Sequence, residues 1–157
     1  MKAVVFEAEG TLIRTSLEAD NDAMIIIEEA AELLPILNRL GIKVAVLASS
    51  KIVEHLEHPA LRDYVHAVVV SDARSIDPAK RGLTKALNDL DVHPTHTVMV
   101  SNRVLDIMTA KEGNIGRTVG VSFGDGNPKA LEAAGADCII TDIPSLLDVI
   151  EWRYDDA

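Results

Sequence analysis

Short apolar runs alternate with helix-like segments along the whole chain, and this alternation constrains the fold more than any other feature. The runs carry few charges, and helical stretches of roughly ten residues separate most of them. Because buried parallel strands need helical crossovers, the pattern predicts an α/β protein with a doubly wound parallel sheet of about six strands. The predicted strands cover residues 4–6, 43–48, 65–70, 96–100, 118–121 and 138–140.

The segments between these strands begin and end with helix signals. Prolines or strand-end hydroxyls stand at several starts, including a serine hydroxyl at 49–50 that we expect to cap the helix over 51–57. We expect a loop or short hairpin over residues 10–22, where the periodicity is lost, and we predict one domain over 1–157 because no linker or repeat interrupts the pattern. The predicted helices cover residues 28–40, 51–57, 59–64, 78–90, 103–112, 128–134 and 143–153.

The composition limits which partners the protein is expected to bind and in which compartment it is expected to occur. With a formal net charge of −10, the chain is not expected to bind nucleic acid or anionic membranes through bulk electrostatics. No signal peptide or membrane-length apolar run is visible, so we expect a cytoplasmic protein. The single cysteine, Cys138, cannot form an intrachain disulfide and fits a reducing compartment.

Polar side chains follow four of the predicted strands at the points where they end. Glu7 and Glu9 follow the first strand on the same side of the chain, and Gly10 allows a sharp turn directly after them. Ligands of open α/β sheets bind at the carboxyl ends of the strands. We therefore expect a site where these groups meet; the other strand ends carry Ser49 and Ser50, Ser71 and Asp72, and Ser101 and Asn102.

These strand ends resemble the motifs of the haloacid dehalogenase-like (HAD) superfamily of phosphohydrolases. The family opens with Asp-x-Asp-Gly-Thr-Leu, where residues 7–12 here read Glu-Ala-Glu-Gly-Thr-Leu. Its fourth strand ends in Gly-Asp-x-x-x-Asp-Ile, where residues 101–107 read Ser-Asn-Arg-Val-Leu-Asp-Ile. The resemblance implies a Rossmann-like three-layer sandwich with these two strands adjacent. It also implies a capless member, because residues 11–27 leave room only for a flap.

The resemblance assigns catalytic and metal-binding roles to acidic positions. Glu7 stands at the place of the nucleophile that attacks phosphorus, and Glu9 at the place of the general acid and base. Glu7, Asn102 and Asp106 stand where the family binds Mg²⁺, which screens the phosphate. Each glutamate adds a methylene to the family's aspartate, and Asn102 lacks the charge of the acid that it replaces, which weakens hard-cation affinity.

The implied phosphate-binding positions depart further from the family. In the family's second motif a serine or threonine ends the second strand; here that position is Ala48, and Ser49 next to it could substitute only if the strand end shifts. The family's third motif is a lysine before a helix; here its position is Ser75, with Arg74 and Lys80 close to it in sequence. The phosphate-binding candidates are therefore Ser49, Ser75 and Lys80.

Substitutions at positions 7, 9, 48, 75 and 102 together predict a HAD-like pseudo-phosphatase, catalytically silent or severely impaired, with a binding or regulatory role. The alternative is a low-activity Mg²⁺-dependent phosphohydrolase that uses Glu7 and Glu9. A receiver-like signalling domain is disfavoured by the six strands and the Gly-Thr-Leu signature. A small phosphorylated ligand or a protein are the expected partners, and a second copy of the chain could act as a lid.

Overall fold

The six predicted strands form one parallel sheet in the computed structural model, which describes residues 1–15, 24–71, 77–123 and 126–155. A two-stranded antiparallel ribbon follows the first strand of the sheet. The sheet strands are β1 (Ala3–Glu7), β4 (Lys43–Ser49), β5 (Ala67–Ser71), β6 (Thr97–Ser101), β7 (Arg117–Val121) and β8 (Cys138–Ile140), and the ribbon strands are β2 (Ile13–Thr15) and β3 (Met24–Ile26).

Helices cover both faces of the sheet. The crossover from β4 to β5 is short, because it contains only a 3-10 turn over Val53–Glu57 and a one-turn helix. A second 3-10 turn, Pro94–His96, leads into β6. The helices are α1 (Glu28–Arg39), α2 (Pro59–Arg62), α3 (Pro78–Leu90), α4 (Val104–Glu112), α5 (Pro128–Ala133) and α6 (Leu146–Asp155). In the described part of the chain, none of them has the length and apolarity that a membrane crossing requires.

The central strand β1 is buried on both faces, which explains its uninterrupted apolar run. Its side chains alternate between two separate aliphatic clusters. Val4 and Phe6 belong to the larger cluster with α1, and Ala3 and Val5 belong to the cluster with α3. Glu7 continues the second series by alternation, so its side chain emerges on the α3 and α4 face of the sheet.

The strand order is β5-β4-β1-β6-β7-β8, so the chain reverses its direction of winding between β1 and β6. These two strands are paired along their length, from Ala3 with Thr97 to Phe6 with Val100. The predicted adjacency of the first and fourth sheet strands is confirmed. The carboxyl ends of β1 and β6 therefore form the crevice in which doubly wound folds bind ligands.

The predicted hydroxyl cap at 49–50 is wrong. The segment after β4 forms the 3-10 turn instead of an α-helix, and the residue before it, Ile52, makes no side-chain capping bond. Ile52 is buried, and its backbone N–H donates to the carbonyl of Ser49. A backbone turn thus satisfies the N–H of Ile52 without a side-chain cap. The burial of Ile52 determines where the segment begins. The ribbon of β2 and β3 confirms the predicted hairpin at its described ends.

Candidate functional site

The turn after β1 carries the first group of candidate residues, and hydrogen bonds hold it tightly. The N–H of Ala8 extends the sheet by donating to Leu47 at 2.9 Å, and the carbonyl of Ala8 accepts from Leu12 at 2.9 Å and Ile13 at 3.1 Å. Gly10 has a φ of +88°, in the left-handed region that side chains disfavour. The sequence Gly-Thr-Leu is therefore explained by the turn itself.

Thr11 holds the backbone of Glu7 through a hydrogen bond from its side chain. Its side chain is completely buried, and its hydroxyl donates to the backbone carbonyl of Glu7. A buried carbonyl at the end of a strand needs such a donor, because water cannot reach it. Thr11 is thus a structural residue that holds Glu7, a role that the sequence pattern did not reveal.

Glu7, at the place of the family nucleophile, is almost entirely buried, with 8% of its surface exposed. Burial raises the pKa of Glu7 to about 8, and the negative charge of Asp106 acts in the same direction. The charge of Arg103 and a hydrogen bond from the backbone of Glu9 oppose the rise. Within the described residues, its Oε2 atom has no hydrogen-bond partner. At neutral pH this carboxyl group is mainly protonated.

Asp106 lies in the first turn of α4 and is also buried. Its Oδ2 accepts a hydrogen bond of 2.8 Å from the hydroxyl of Ser101, which in turn accepts from the N–H of Arg103 at 3.0 Å. Burial raises the pKa of Asp106, while the bond from Ser101 and the charge of Arg103 oppose this. Sequence reasoning placed Ser101 at the strand end and Arg103 at the start of the next helix but assigned neither of them a role.

Asn102 lies between two glycine-containing turns. A Cβ atom added to Gly10 would collide with the amide nitrogen of Asn102, and one added to Gly126 would lie 3.4 Å from its Cβ. Gly126 also lies so close to the carbonyl oxygen of Val121 that no Cβ fits there. The glycine loop after β7 thus packs against Asn102 at residue 126, whereas Gly124 and Asp125 lie outside the described residues.

Glu9 is exposed on the turn, unlike Glu7. Its backbone N–H bonds to the Glu7 carboxyl group, and its own negative charge contributes to the raised pKa of Glu7. The two glutamates thus lie two residues apart, but Glu7 is buried and Glu9 is exposed.

The phosphate-binding candidates do not assemble in the described structure. Ala48 is buried and has no hydroxyl, while Ser49 is half-buried and pairs with Ser71 across β4 and β5. Ser75, with Arg74, lies outside the described residues. Lys80 is exposed on α3, where it lines a surface groove of about 280 Å³ whose lining includes neither Glu7 nor Asp106.

The metal-binding candidates fit a hard cation in chemistry but are few. Glu7 and Asp106 supply carboxyl oxygens and Asn102 supplies an amide oxygen, and within the described residues Oε2 of Glu7 has no hydrogen-bond partner. Oxygen ligands of this kind suit Mg²⁺. In the described part of the chain, no group of three or more His, Cys, Asp or Glu side chains could hold a metal ion. The site thus offers two carboxyl groups, of which Glu7 must lose its proton to carry charge, and one neutral amide.

The comparisons with known proteins agree on one family. The sequence profile of haloacid dehalogenase-like hydrolases matches residues 7–121, which include both motif segments, 7–12 and 101–107, whereas no curated protein matches the sequence. A structure from Thermotoga maritima, provisionally described as a beta-phosphoglucomutase, superposes with a TM-score of 0.80 at 19% identity, covering 96% of this chain and 99% of that one.

Two further structures show the same fold over nearly their whole length. A conserved haloacid dehalogenase-like protein of unknown function from Agrobacterium tumefaciens has a TM-score of 0.77 at 16% identity, covering 98% of this chain and 99% of its own. An uncharacterized protein from Listeria monocytogenes has a TM-score of 0.70 at 20% identity, with 96% and 99% covered. At these identities the structures show the fold alone. The profile match, which spans more than half of the sequence, shows that this chain belongs to the haloacid dehalogenase-like hydrolases, of the type without a cap domain.

Proposed function

We propose that this chain is a catalytically silent or severely impaired member of the phosphohydrolase family, and that its crevice serves a binding or regulatory role. The state of the Glu7 carboxyl group carries this proposal. A nucleophile must be ionised and must reach phosphorus, whereas Glu7 is buried and has a pKa raised to about 8. Its extra methylene also displaces the carboxylate from the in-line position, and a displacement of about 1 Å can cost roughly a hundredfold in rate.

The missing phosphate ligands support the same conclusion. Hydrolysis in this family needs a hydroxyl and a cation that hold the phosphoryl oxygens as charge develops on them. Here the hydroxyl position is the buried Ala48, and Lys80 lines a groove on the outside of α3. Among the described residues, neither position 48 nor Lys80 would therefore offer a phosphorylated ligand its expected contact, even if Glu7 were ionised.

A weakened Mg²⁺ site at Glu7, Asn102 and Asp106 is part of the proposal. When bound there, the ion would supply positive charge that screens a phosphate. The unpartnered Glu7 oxygen and the adjacent Asp106 carboxyl group support binding. Asn102 and the nearby charge of Arg103 reduce the negative potential available to the ion. The ion would compete with the proton on Glu7, so its binding should strengthen as pH rises.

A second candidate is a low-activity Mg²⁺-dependent phosphohydrolase with Glu7 as nucleophile and Glu9 as acid and base. The adjacency of Glu7 and Asp106 in the switch-point crevice favours it, as does the exposed position of Glu9. A bound cation would favour ionisation of Glu7 and restore some nucleophilic character. This candidate requires turnover that depends on the cation and disappears in E7A.

The proposal extends to partners and location. A small phosphorylated ligand or a protein would occupy the crevice, in the cytoplasm, and a second copy of the chain would cover it.

Exposed apolar side chains on α4, close to Asp106, support an interaction surface there: Val104, Leu105 and Met108. Light scattering of the wild type and of L105E tests the self-association. A dimer that L105E disrupts is expected, whereas a monomeric wild type would contradict it.

The decisive experiment compares the wild type with a variant that restores the family residues: E7D, E9D, A48S, S75K and N102D. Both are assayed with an aryl phosphate and with a panel of phosphorylated metabolites at saturating Mg²⁺. The proposal expects no wild-type turnover above that of E7A, and measurable turnover in the restored variant. Robust wild-type hydrolysis that E7A abolishes would contradict the proposal and show that the chain is an active phosphohydrolase.

A further inference from the structure

We propose that Ser101 is a positioning residue that holds the carboxylate of Asp106 in the orientation needed to bind a divalent cation. The inference rests on the proposed cation site at Glu7, Asn102 and Asp106. It concerns a residue that contacts neither the cation nor a substrate but determines the geometry of a ligand. Its basis is the pair of hydrogen bonds that the Ser101 hydroxyl makes within the turn from β6 to α4.

Ser101 is the last residue of β6 and is completely buried. Its hydroxyl donates to Oδ2 of Asp106 at 2.8 Å and accepts from the N–H of Arg103 at 3.0 Å. One small group thus joins the end of a central strand, the residue before α4 and a carboxylate in its first turn. Because the hydroxyl has a donor and an acceptor partner at once, its own orientation is fixed.

The bond leaves a defined set of atoms for a cation. Ser101 donates to Oδ2 of Asp106, which leaves Oδ1 as the other oxygen of that carboxylate, and within the described residues Oε2 of Glu7 has no hydrogen-bond partner. A buried carboxylate that is held by one oxygen presents the other in a fixed direction. Binding then costs less ordering of the side chain, which is the general effect of hydrogen bonds to metal ligands.

The start of α4 depends on the same hydroxyl. Arg103 occupies the N-cap position, and its backbone N–H donates to the Ser101 hydroxyl. Loss of the hydroxyl would therefore release Asp106, whereas Asn102 keeps its close approaches to Gly10 and Gly126.

This arrangement departs from the family pattern that the sequence resembles. Glycine stands there at the position of Ser101 and has no hydroxyl to offer. In this chain Asn102 contributes no charge, so affinity must come from fewer charged ligands. A fixed Asp106 lowers the ordering cost of binding, and the structure assigns that role to the Ser101 substitution.

The test measures cation affinity directly, by calorimetric titration of the purified protein with Mn²⁺ and Mg²⁺. S101A is expected to bind each ion about 10- to 100-fold more weakly than the wild type. S101T keeps a hydroxyl and should retain most of the affinity. T97V is the matched control, because Thr97 is also completely buried on β6 and donates to the carbonyl of His93 at 3.1 Å, at the opposite end of the strand. T97V should bind as the wild type does.

A double-mutant cycle separates positioning from general destabilisation. If Ser101 acts through Asp106, S101A should have no further effect on cation affinity in a D106A background. Equal losses in both backgrounds would overturn the inference, as would wild-type affinity in a folded S101A. If S101A does not fold, S101G, which carries the family's residue, gives the same comparison. A wild type that binds neither ion would overturn the cation site and the inference together, whereas binding that S101A leaves unchanged would overturn the inference alone.

Discussion

The carboxyl group of Glu7, at the end of β1, lies close enough to that of Asp106, in the first turn of α4, for a negative charge on one to disfavour ionisation of the other. Each side chain is at least nine-tenths buried, and the charge of Asp106 contributes to the raised pKa of Glu7. Ser101 donates to Asp106, whereas Oε2 of Glu7 has no partner in the described part of the chain. When the pair carries one negative charge, that charge is therefore on Asp106 and the proton is on Glu7.

This asymmetry predicts that Glu7 makes the fold less stable as pH rises. The pKa of Glu7 lies near 4.5 in the unfolded chain and about 8 in the folded one, so between these values the folded state holds a proton that the unfolded state releases. The free energy of unfolding should fall across this window, by up to about 1.4 kcal/mol per pH unit. In E7Q this slope should disappear, and the variant should be more stable than the wild type at pH 8.

Urea denaturation in a chelator at several pH values checks this slope. Below about pH 4.5 Glu7 is protonated in both the folded and the unfolded state, so the advantage of E7Q should vanish there. E54Q is the control, because Glu54 is exposed on the 3-10 turn and its removal should leave the slope unchanged. Parallel pH profiles of E7Q and the wild type would show that Glu7 is not held neutral.

The contact of Gly10 with Asn102 makes a second prediction. G10A should destabilise the fold by about 2–4 kcal/mol, because alanine must adopt the left-handed conformation and its Cβ would collide with the Asn102 amide. Gly41 is the matched control: its φ is +74°, but a Cβ added there meets nothing within 4 Å. G41A should cost only about 1–2 kcal/mol.

The same urea measurements on G10A with N102A distinguish the two costs. Removal of the Asn102 amide should recover the part due to the collision and leave the part due to the backbone. If N102A recovers nothing in the G10A background, the close approach of the two residues is contradicted. Equal losses in G10A and G41A would lead to the same conclusion.

Much of the fold could be predicted because it depends on local patterns. Apolar runs and helical crossovers defined the six strands, and each predicted strand lies within two residues of an observed one. The failed cap at 49–50 shows the limit, since burial of Ile52 decided how that segment begins. Tertiary burial is not visible in local propensity.

The site was less predictable for the same reason. The motif positions identified Glu7 and Asp106, but the raised pKa of Glu7 depends on its burial and on the charge of Asp106 in α4 close to it. The bond from Ser101 to Asp106 depends on the turn between β6 and α4, which no periodicity encodes. Lys80 was adjacent to motif three in sequence, yet it lines a groove on another part of the surface.

Thr11 should stabilise the fold through its hydroxyl. T11V keeps the size of the side chain but leaves the buried carbonyl of Glu7 without that donor, so it should cost about 1–3 kcal/mol. T11S keeps the donor and should lose less. Thr84, which donates to Lys80 on the exposed side of α3, supplies the control, and T84V should change stability by less than about 0.5 kcal/mol. Thermal and urea unfolding measure these differences; a neutral T11V would contradict the role.

Asp137 should contribute stability that is lost in acid. Although burial opposes its charge, hydrogen bonds from the N–H of Thr118 at 2.8 Å and from Lys111 at 3.2 Å lower its pKa below the usual 3.8. A lowered folded-state pKa stabilises the protein above the unfolded value, and this contribution disappears as pH falls through the folded value. D137N should therefore be less stable than the wild type near neutral pH, and the gap should close below about pH 3.8.

The two sources of this effect can be separated by salt. Lys111 and Asp137 are both partly exposed, so their ion pair should weaken at high ionic strength, whereas the bonds from Thr118 should not. K111M should thus reproduce only the salt-sensitive part of the D137N loss in urea denaturation. A gap between D137N and the wild type that stays constant from acid to neutral pH would show that the charge of Asp137 does not stabilise the fold.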